Sequence, residues 1–234
     1  MKFLVTGSAG LVGRQVVKDL LESSDQIYSS YHTTEPEYGI PTPIDLVNPE
    51  NIIKVIENIK PDVIIHLAAV TNVDLCETEK DLALKINAKA TKIISKQAAK
   101  HRAFFVYVST DYVFDGLRGM KKENDSTNPI DYYGRSKLEG ENAVKDLASG
   151  WCIARTSTPF GIHPQKKSFP LFVIENLKAK KEISVVTDQY TSPTYVPNLS
   201  KMIIEISTRQ IVGAMHVAGA TRILRYEIVS CSDK

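Results

Sequence analysis

Cysteine is scarce in this chain. Its 234 residues include three, Cys76, Cys152 and Cys231, an odd number at wide and irregular spacing. Such a set supports no disulfide framework, and without a CxxC pair a zinc site has nowhere to start. Reduced core or surface thiols in a cytoplasmic protein are expected, with no metal. An excess of one charge is also missing. Lys and Arg number 29 against 27 Asp and Glu, a net +2. That balance gives no electrostatic case for nucleic acid or an anionic membrane as partner. No apolar run reaches the ~18 residues of a membrane span. The opening MKFLVTGSAG has no signal-peptide layout. Internal repeats, low-complexity tracts and long linkers are absent as well.

What is present is alternation. Short apolar runs at Lys2–Thr6, Gln26–Tyr31, Thr42–Leu46, Val63–Leu67, Phe104–Ser109 and Trp151–Arg155 read as strands. Between them lie amphipathic stretches at Leu11–Ser23, Pro49–Ile59, Asp81–Lys100 and Tyr132–Leu147 that read as helices. Strands alternating with helices argue for an α/β fold, a doubly wound parallel sheet covered on both faces. The pattern loosens after Gly161. A helix near Phe169–Ala179, a strand at Ile183–Val186, a helix at Pro197–Ser207 and a strand at Ala214–Val217 are expected there. Residues 1–160 read as a dinucleotide-binding Rossmann domain. Residues 161–234 read as a mixed segment that forms a small lobe and returns strands to the sheet.

Three motifs carry chemistry. Gly7-Ser8-Ala9-Gly10-Leu11-Val12-Gly13 follows a strand directly and opens a helix. Gly7 suits the tight turn, Gly10 lets a pyrophosphate approach the helix N-terminus, and Gly13 permits close helix–strand packing. The acid that would bind an adenosine 2′-hydroxyl is missing at the end of the second strand, Ser29-Ser30-Tyr31-His32. A 2′-phosphate is therefore tolerated, with these hydroxyls, His32 or Arg14 in reach. NADP is favoured and NAD remains allowed. The second motif is Tyr133-Gly134-Arg135-Ser136-Lys137, which puts a phenol and an ammonium four residues apart on one helix face. A neighbouring ammonium is expected to lower the phenol pKa and fit it to donate a proton to a carbonyl. The third, Ser109-Thr110-Asp111-Tyr112-Val113-Phe114-Asp115-Gly116, follows an apolar strand at the sheet's carboxyl end, where open α/β sheets bind ligands.

Together these motifs resemble the extended short-chain dehydrogenase/reductase family. The run STDYVFDG with YYGRSKLEGE is most similar to its reductases of 4-keto-6-deoxy sugar nucleotides. Arg155-Thr156-Ser157, Asp188-Gln189-Tyr190, Ser192-Pro193-Thr194-Tyr195 and His216-Val217-Ala218-Gly219 extend the likeness over nearly the whole chain. The resemblance implies an NADP-dependent reductase with a nucleotide-sugar substrate, and it allows a homodimer. It implies a catalytic set of Thr110, Tyr133 and Lys137. Thr110 would hydrogen-bond the substrate's C4 oxygen, and Tyr133 would protonate it as hydride arrives. Lys137 would hold the nicotinamide ribose.

Further cofactor contacts are implied for Gly7, Ser8, Ala9, Gly10, Leu11, Val12, Gly13, Ser30, Asp45, Leu46, Ala68, Ala69, Thr71 and Asn87, the last near the active-site water. Substrate contacts are implied for Thr71, Val73, Asp74, Thr110, Tyr112, Val113 and Phe114. Ser157 and Thr158 lie where the family's backbone meets the nicotinamide amide, although an aromatic is usual near Thr158. A nucleotide-sugar epimerase or dehydratase on the same fold is an alternative, and the family's dehydratases carry an Asp-Glu pair after the threonine. Here Tyr112 follows Asp111, which argues against dehydration. A non-catalytic alternative is a regulatory subunit like the beta subunit of methionine adenosyltransferase. The family continues well past Arg222–Val229, so the small lobe is expected to be short. Cys76, with no histidine beside it, reads as packed, and His66 as a core residue. Lys166-Lys167 and Lys178–Lys181 read as solvated surface, the former pair able to face a nucleotide diphosphate.

Overall fold

The computed structural model describes residues 1–23, 26–148 and 150–231. Among them, seven strands form one parallel sheet: β1 (Lys2–Thr6), β2 (Gln26–Tyr31), β3 (Ile40–Pro43), β4 (Val63–His66), β5 (Phe104–Thr110), β6 (Trp151–Thr156) and β10 (Gly213–His216), in the order β10-β6-β5-β4-β1-β2-β3. Short strands β7 (Pro159–Phe160), β8 (Tyr190–Thr191), β9 (Thr194–Tyr195) and β11 (Ile223–Leu224) make two further pairs, β7 with β9 and β8 with β11.

Successive side chains on a strand point to opposite faces, so each strand serves two cores. Phe3 and Val5 pack with Val16, Val17 and Leu20 of α1 (Leu11–Leu20) and with Leu199 and Ile203 of α8 (Val196–Arg209). Leu4 packs the other way, with Ile52 and Ile56 of α2 (Pro49–Ile59), Ile94 of α5 (Thr91–His101) and Val144 of α6 (Tyr132–Leu147). Helices on both faces of a parallel sheet in the order 3-2-1-4-5-6 make a Rossmann-type, doubly wound fold. The order reverses between β1 and β4, where ligand crevices open at the carboxyl ends.

Three expected elements differ. The third strand occupies Ile40–Pro43 because Tyr28 to Tyr31 pair with those four residues. Asp45 and Leu46 leave the sheet, and the Asp45 amide donates to Asn51 Oδ1 at 2.8 Å. The long helix expected at 81–100 is broken into α4 (Lys80–Leu84), a π-helical turn over Lys85–Ala90, and α5. That wide turn holds Asn87, whose carbonyl accepts from Tyr107 Oη and Thr91 Oγ1 at 3.2 and 2.8 Å. Single π turns of this kind frequently mark functional sites. No strand forms at Ile183–Val186, because that alternating stretch meets no partner edge; β11 pairs instead with Tyr190–Thr191.

The later chain folds back on the sheet. β10 pairs beside β6, and α8 packs on α1, with Ser200 Oγ donating to Asp19 Oδ2 at 2.6 Å. Helices α3 (Val73–Thr78), α7 (Phe169–Lys178) and α9 (Arg225–Cys231) follow β4, β7 and β11 in the chain. Cys76 and Cys152 are free, buried thiols; the Cys231 side chain lies outside the described set. His66 is buried between Thr6 Oγ1 at 2.6 Å and Thr91 Oγ1 at 3.0 Å, and burial pulls its pKa down to about 3.

Candidate active site

A cleft of about 930 Å³ runs across the carboxyl ends of the central strands, from the β2 end to the segment after β6. At one end the glycine turn forms its wall. Gly7 has φ +70°, and a Cβ there would stand 2.8 Å from the Ala68 amide nitrogen. A Cβ on Gly13 would collide with the Gly7 carbonyl. Both positions therefore exclude side chains. α1 starts at Gly10 with no side-chain cap and no acid in its first turn. Its free amides and positive dipole end thus face the cleft bare, which fits the diphosphate of a dinucleotide.

Gly7, Ala9, Gly10, Leu11, Val12, Gly13, Ser30, Asp45, Leu46, Ala68, Ala69 and Thr71 all line this cleft, as do Tyr31, His32, Thr33 and Thr34. Ser8 lies beneath it. Its amide and hydroxyl both donate to the Ser30 carbonyl, at 3.3 and 2.7 Å, and tie the turn to β2. Arg14 also falls outside the cleft lining. Its guanidinium donates to Glu37 Oε2 at 2.8 Å and Tyr38 Oη at 3.3 Å. His32, Thr33 and Thr34, but not Arg14, line the β2 end of the cleft.

The other end holds Thr110 at the close of β5 with Tyr133 and Lys137 of α6, all lining the same cleft. α6 begins there because Asp131 caps it, accepting the Gly134 amide at 2.7 Å. Burial raises the Tyr133 phenol well above its usual range; the Thr110 side chain works the other way, and Asp111, Cys76 and Tyr112 add to the rise. The expected lowering by Lys137 is not found. Lys137 Nζ instead donates to the Val108 carbonyl at 2.8 Å and sits 4.0 Å from the centre of the Tyr107 ring. Burial drops its pKa to about 7, against the pull of Glu141. Burial thus favours the protonated phenol of Tyr133 and weakens the hold of Lys137 on its proton.

The surrounding groups brace this end. Tyr112 lies edge-on to Tyr133 with ring centres 5.6 Å apart, and Gln189 Nε2 donates to its hydroxyl at 3.1 Å. Asp111 is raised by burial and accepts from Ser157 Oγ at 2.6 Å and Thr110 Oγ1 at 3.2 Å. Thr158 lines the cleft at φ +40°, a strained conformation for a β-branched residue. Beneath α6, Glu141 is held by Arg155 Nε at 2.9 Å and NH2 at 2.7 Å and by Ser109 Oγ at 2.7 Å, with both members of the ion pair buried.

Some expected contacts fall elsewhere. Val73 and Tyr112 line the cleft, but Asp74, Val113 and Phe114 do not. Asp74 is exposed, Val113 is buried in the core, and Phe114 packs against Arg155 and His216. Asn87 is fully buried. Its amide bonds the Val70 N–H and C=O at 2.8 and 3.0 Å and Ser136 Oγ at 2.9 Å, so it braces the loop after β4 rather than facing the cleft. Lys166 and Lys167, the pair expected to be able to face a diphosphate, do line the cleft, and Gln165, Phe169 and Arg225 line it without any local spacing signal to announce them.

A dinucleotide turn, a hydroxyl-ended β5, a half-buried tyrosine and a buried lysine on one cleft define an NAD(P)-dependent oxidoreductase of the extended short-chain dehydrogenase/reductase class. The chain belongs to the family described as the RmlD substrate binding domain, whose pattern matches residues 1–230. It is similar to a hypothetical dTDP-4-dehydrorhamnose reductase from Sulfolobus tokodaii, with TM-score 0.91 and 37% identity over 99% of this chain and 81% of that one. It is similar as well to the dTDP-4-dehydrorhamnose reductase of Bacillus anthracis str. Ames in complex with NADP, with TM-score 0.89, 34% identity and coverage of 99% and 80%. Methionine adenosyltransferase 2 subunit beta of Xenopus tropicalis is 30% identical over 233 residues, 96% of this chain and 69% of that protein.

Proposed function

We propose that this chain reduces a 4-keto-6-deoxy sugar nucleotide with NADPH, hydride reaching C4 and Tyr133 donating the proton. The observation that carries the reading is one cleft with the glycine turn at one end and Thr110, Tyr133 and Lys137 at the other. The cofactor would lie along Gly7–Gly13 with its adenosine toward Ser30–Thr34, Asp45 and Leu46. NADP is favoured because no carboxylate lines the cleft at the end of β2, and the similar Bacillus anthracis structure contains NADP. NAD remains allowed. We also assign cofactor binding to residues 1–160 and the small substrate lobe to the segment after them.

A reduced nicotinamide bound along the glycine turn would supply the hydride for C4. Thr110 and Tyr133 hydroxyls would hold the carbonyl oxygen, and their hydrogen bonds strengthen as negative charge develops there. Tyr133 then gives its proton to that oxygen and is left as phenolate. The raised phenol pKa suits this direction of transfer, because the donor is fully protonated at neutral pH. Lys137 would take up a proton as the phenolate forms, since the new anion favours ammonium over amine. The fall of its pKa to about 7 makes that uptake accessible at neutral pH.

The likeness to methionine adenosyltransferase 2 subunit beta supports a second reading, a partner-binding chain without catalysis. The two separate in one pair of measurements. NADPH oxidation that depends on a 4-keto-6-deoxy sugar nucleotide supports the reductase. Its absence, with capture of a methionine adenosyltransferase catalytic chain, supports the regulatory role.

A further inference from the structure

Residues 161–168 cross the open side of the glycine turn. Gln165, Lys166, Lys167 and Ser168 line the same cleft as Gly10 to Gly13. Lys166 Nζ stands 3.9 Å from the point a Cβ on Gly10 would occupy, directly opposite the bare helix start. His163 fixes this placement. Its Nδ1 accepts the backbone amides of Gln165 and Lys166 at 3.1 and 3.0 Å, and its ring bonds the Ala9 backbone of the turn itself. The histidine thus pins the loop to the turn and sets the lysine above it.

Charge bookkeeping singles out Lys166. Arg14 is bonded to Glu37, and Lys167 to Glu175. Among the described residues, Lys166 has no carboxylate partner. The helix start offers amides and a dipole equivalent to about half a positive charge, which leaves a diphosphate of charge two under-compensated. An ammonium on the opposite wall would supply what the helix lacks. We propose that Lys166, held by His163, is a diphosphate-binding residue that closes the cofactor site from the side facing α1. This deepens the NADPH reading and rests on it for the ligand. A sugar nucleotide carries the same diphosphate chemistry, so the test must separate the two sources.

The experiment measures dissociation constants of NADPH, NADH and thymidine diphosphate for wild type, Lys166→Met, Lys166→Arg and His163→Ala. Lys166 is exposed, so its variants should fold, and circular dichroism verifies that. Lys166→Met should weaken NADPH and NADH equally, by about tenfold, the scale of one charge-assisted contact. Lys166→Arg should restore most of the affinity. His163→Ala should weaken both dinucleotides less, and not at all once Lys166 is already methionine, because it acts through that residue. Thymidine diphosphate binding should stay within twofold. A loss confined to NADPH would move Lys166 to the 2′-phosphate and overturn the assignment. So would a loss confined to thymidine diphosphate, or no loss. If wild type binds neither NADPH nor NADH, the cofactor reading itself fails, and this inference with it.

Discussion

Replacing Lys137 by methionine should make the protein more stable and less able to bind NADPH. Lys137 is 2% exposed, and burial lowers its pKa from 10.5 to about 7. The sign follows from linkage. In the unfolded chain the amine holds its proton up to about pH 10.4, whereas in the folded chain it releases it near pH 7. The cost of burying the charge is fully present below pH 7 and fades as pH rises toward 10.4. Each pKa unit is worth about 1.4 kcal/mol, so the penalty is roughly 5 kcal/mol below the folded pKa. It is roughly 4 kcal/mol at pH 7 and roughly 2 kcal/mol at pH 9. Methionine is close to lysine in shape and carries no charge. Urea unfolding of both proteins should therefore show the variant's advantage shrinking by roughly 2 kcal/mol between pH 7 and pH 9. A difference that stays constant over that range would refute the assignment of a strongly desolvated amine. NADPH titration of the same variant should show weakened binding, because the ammonium that would meet the nicotinamide ribose is gone.

Two other perturbations separate scaffold from site. Arg155→Met should cost about 3–5 kcal/mol, since it leaves the buried Glu141 charge with Ser109 and a distant Lys145 at 3.9 Å; adding Glu141→Leu should recover most of it in urea unfolding. Gly10→Val should fold but lose NADPH binding by fluorescence titration. Its Cβ would stand 3.0 Å from the Gly7 carbonyl, and its branches would fill the space between the helix start and Lys166.

The parts legible in the sequence are those whose geometry is local. The strand KFLVT followed by Gly7 to Gly13 carries its own turn and helix start. Asp131 and Tyr132 likewise announce α6, and the four-residue step places Tyr133 and Lys137 on one face. That step does not say where a flexible side chain points. The Lys137 ammonium turns to the Val108 carbonyl because the sheet offers an acceptor there, so the expected effect on the phenol is absent. The π turn around Asn87 was hidden by a helical pattern that reads straight through it. Ile183–Val186 has a strand's alternation, but pairing needs a neighbour that no local pattern can provide. Arg225 reaches the cleft by the path of a distant segment, so nothing next to it in the chain marks it as a site residue, whereas the Lys166-Lys167 pair was legible as a charge able to face a diphosphate.

Proton delivery by Tyr133 in a carbonyl reduction is tested most directly by NADPH oxidation with a 4-keto-6-deoxy sugar nucleotide, comparing wild type with Tyr133→Phe, a change that removes one oxygen and keeps the ring. NADPH affinity should stay within twofold of wild type and turnover should fall by about 10²-fold or more, the scale of a lost general acid. Turnover by Tyr133→Phe at the full wild-type rate would contradict it.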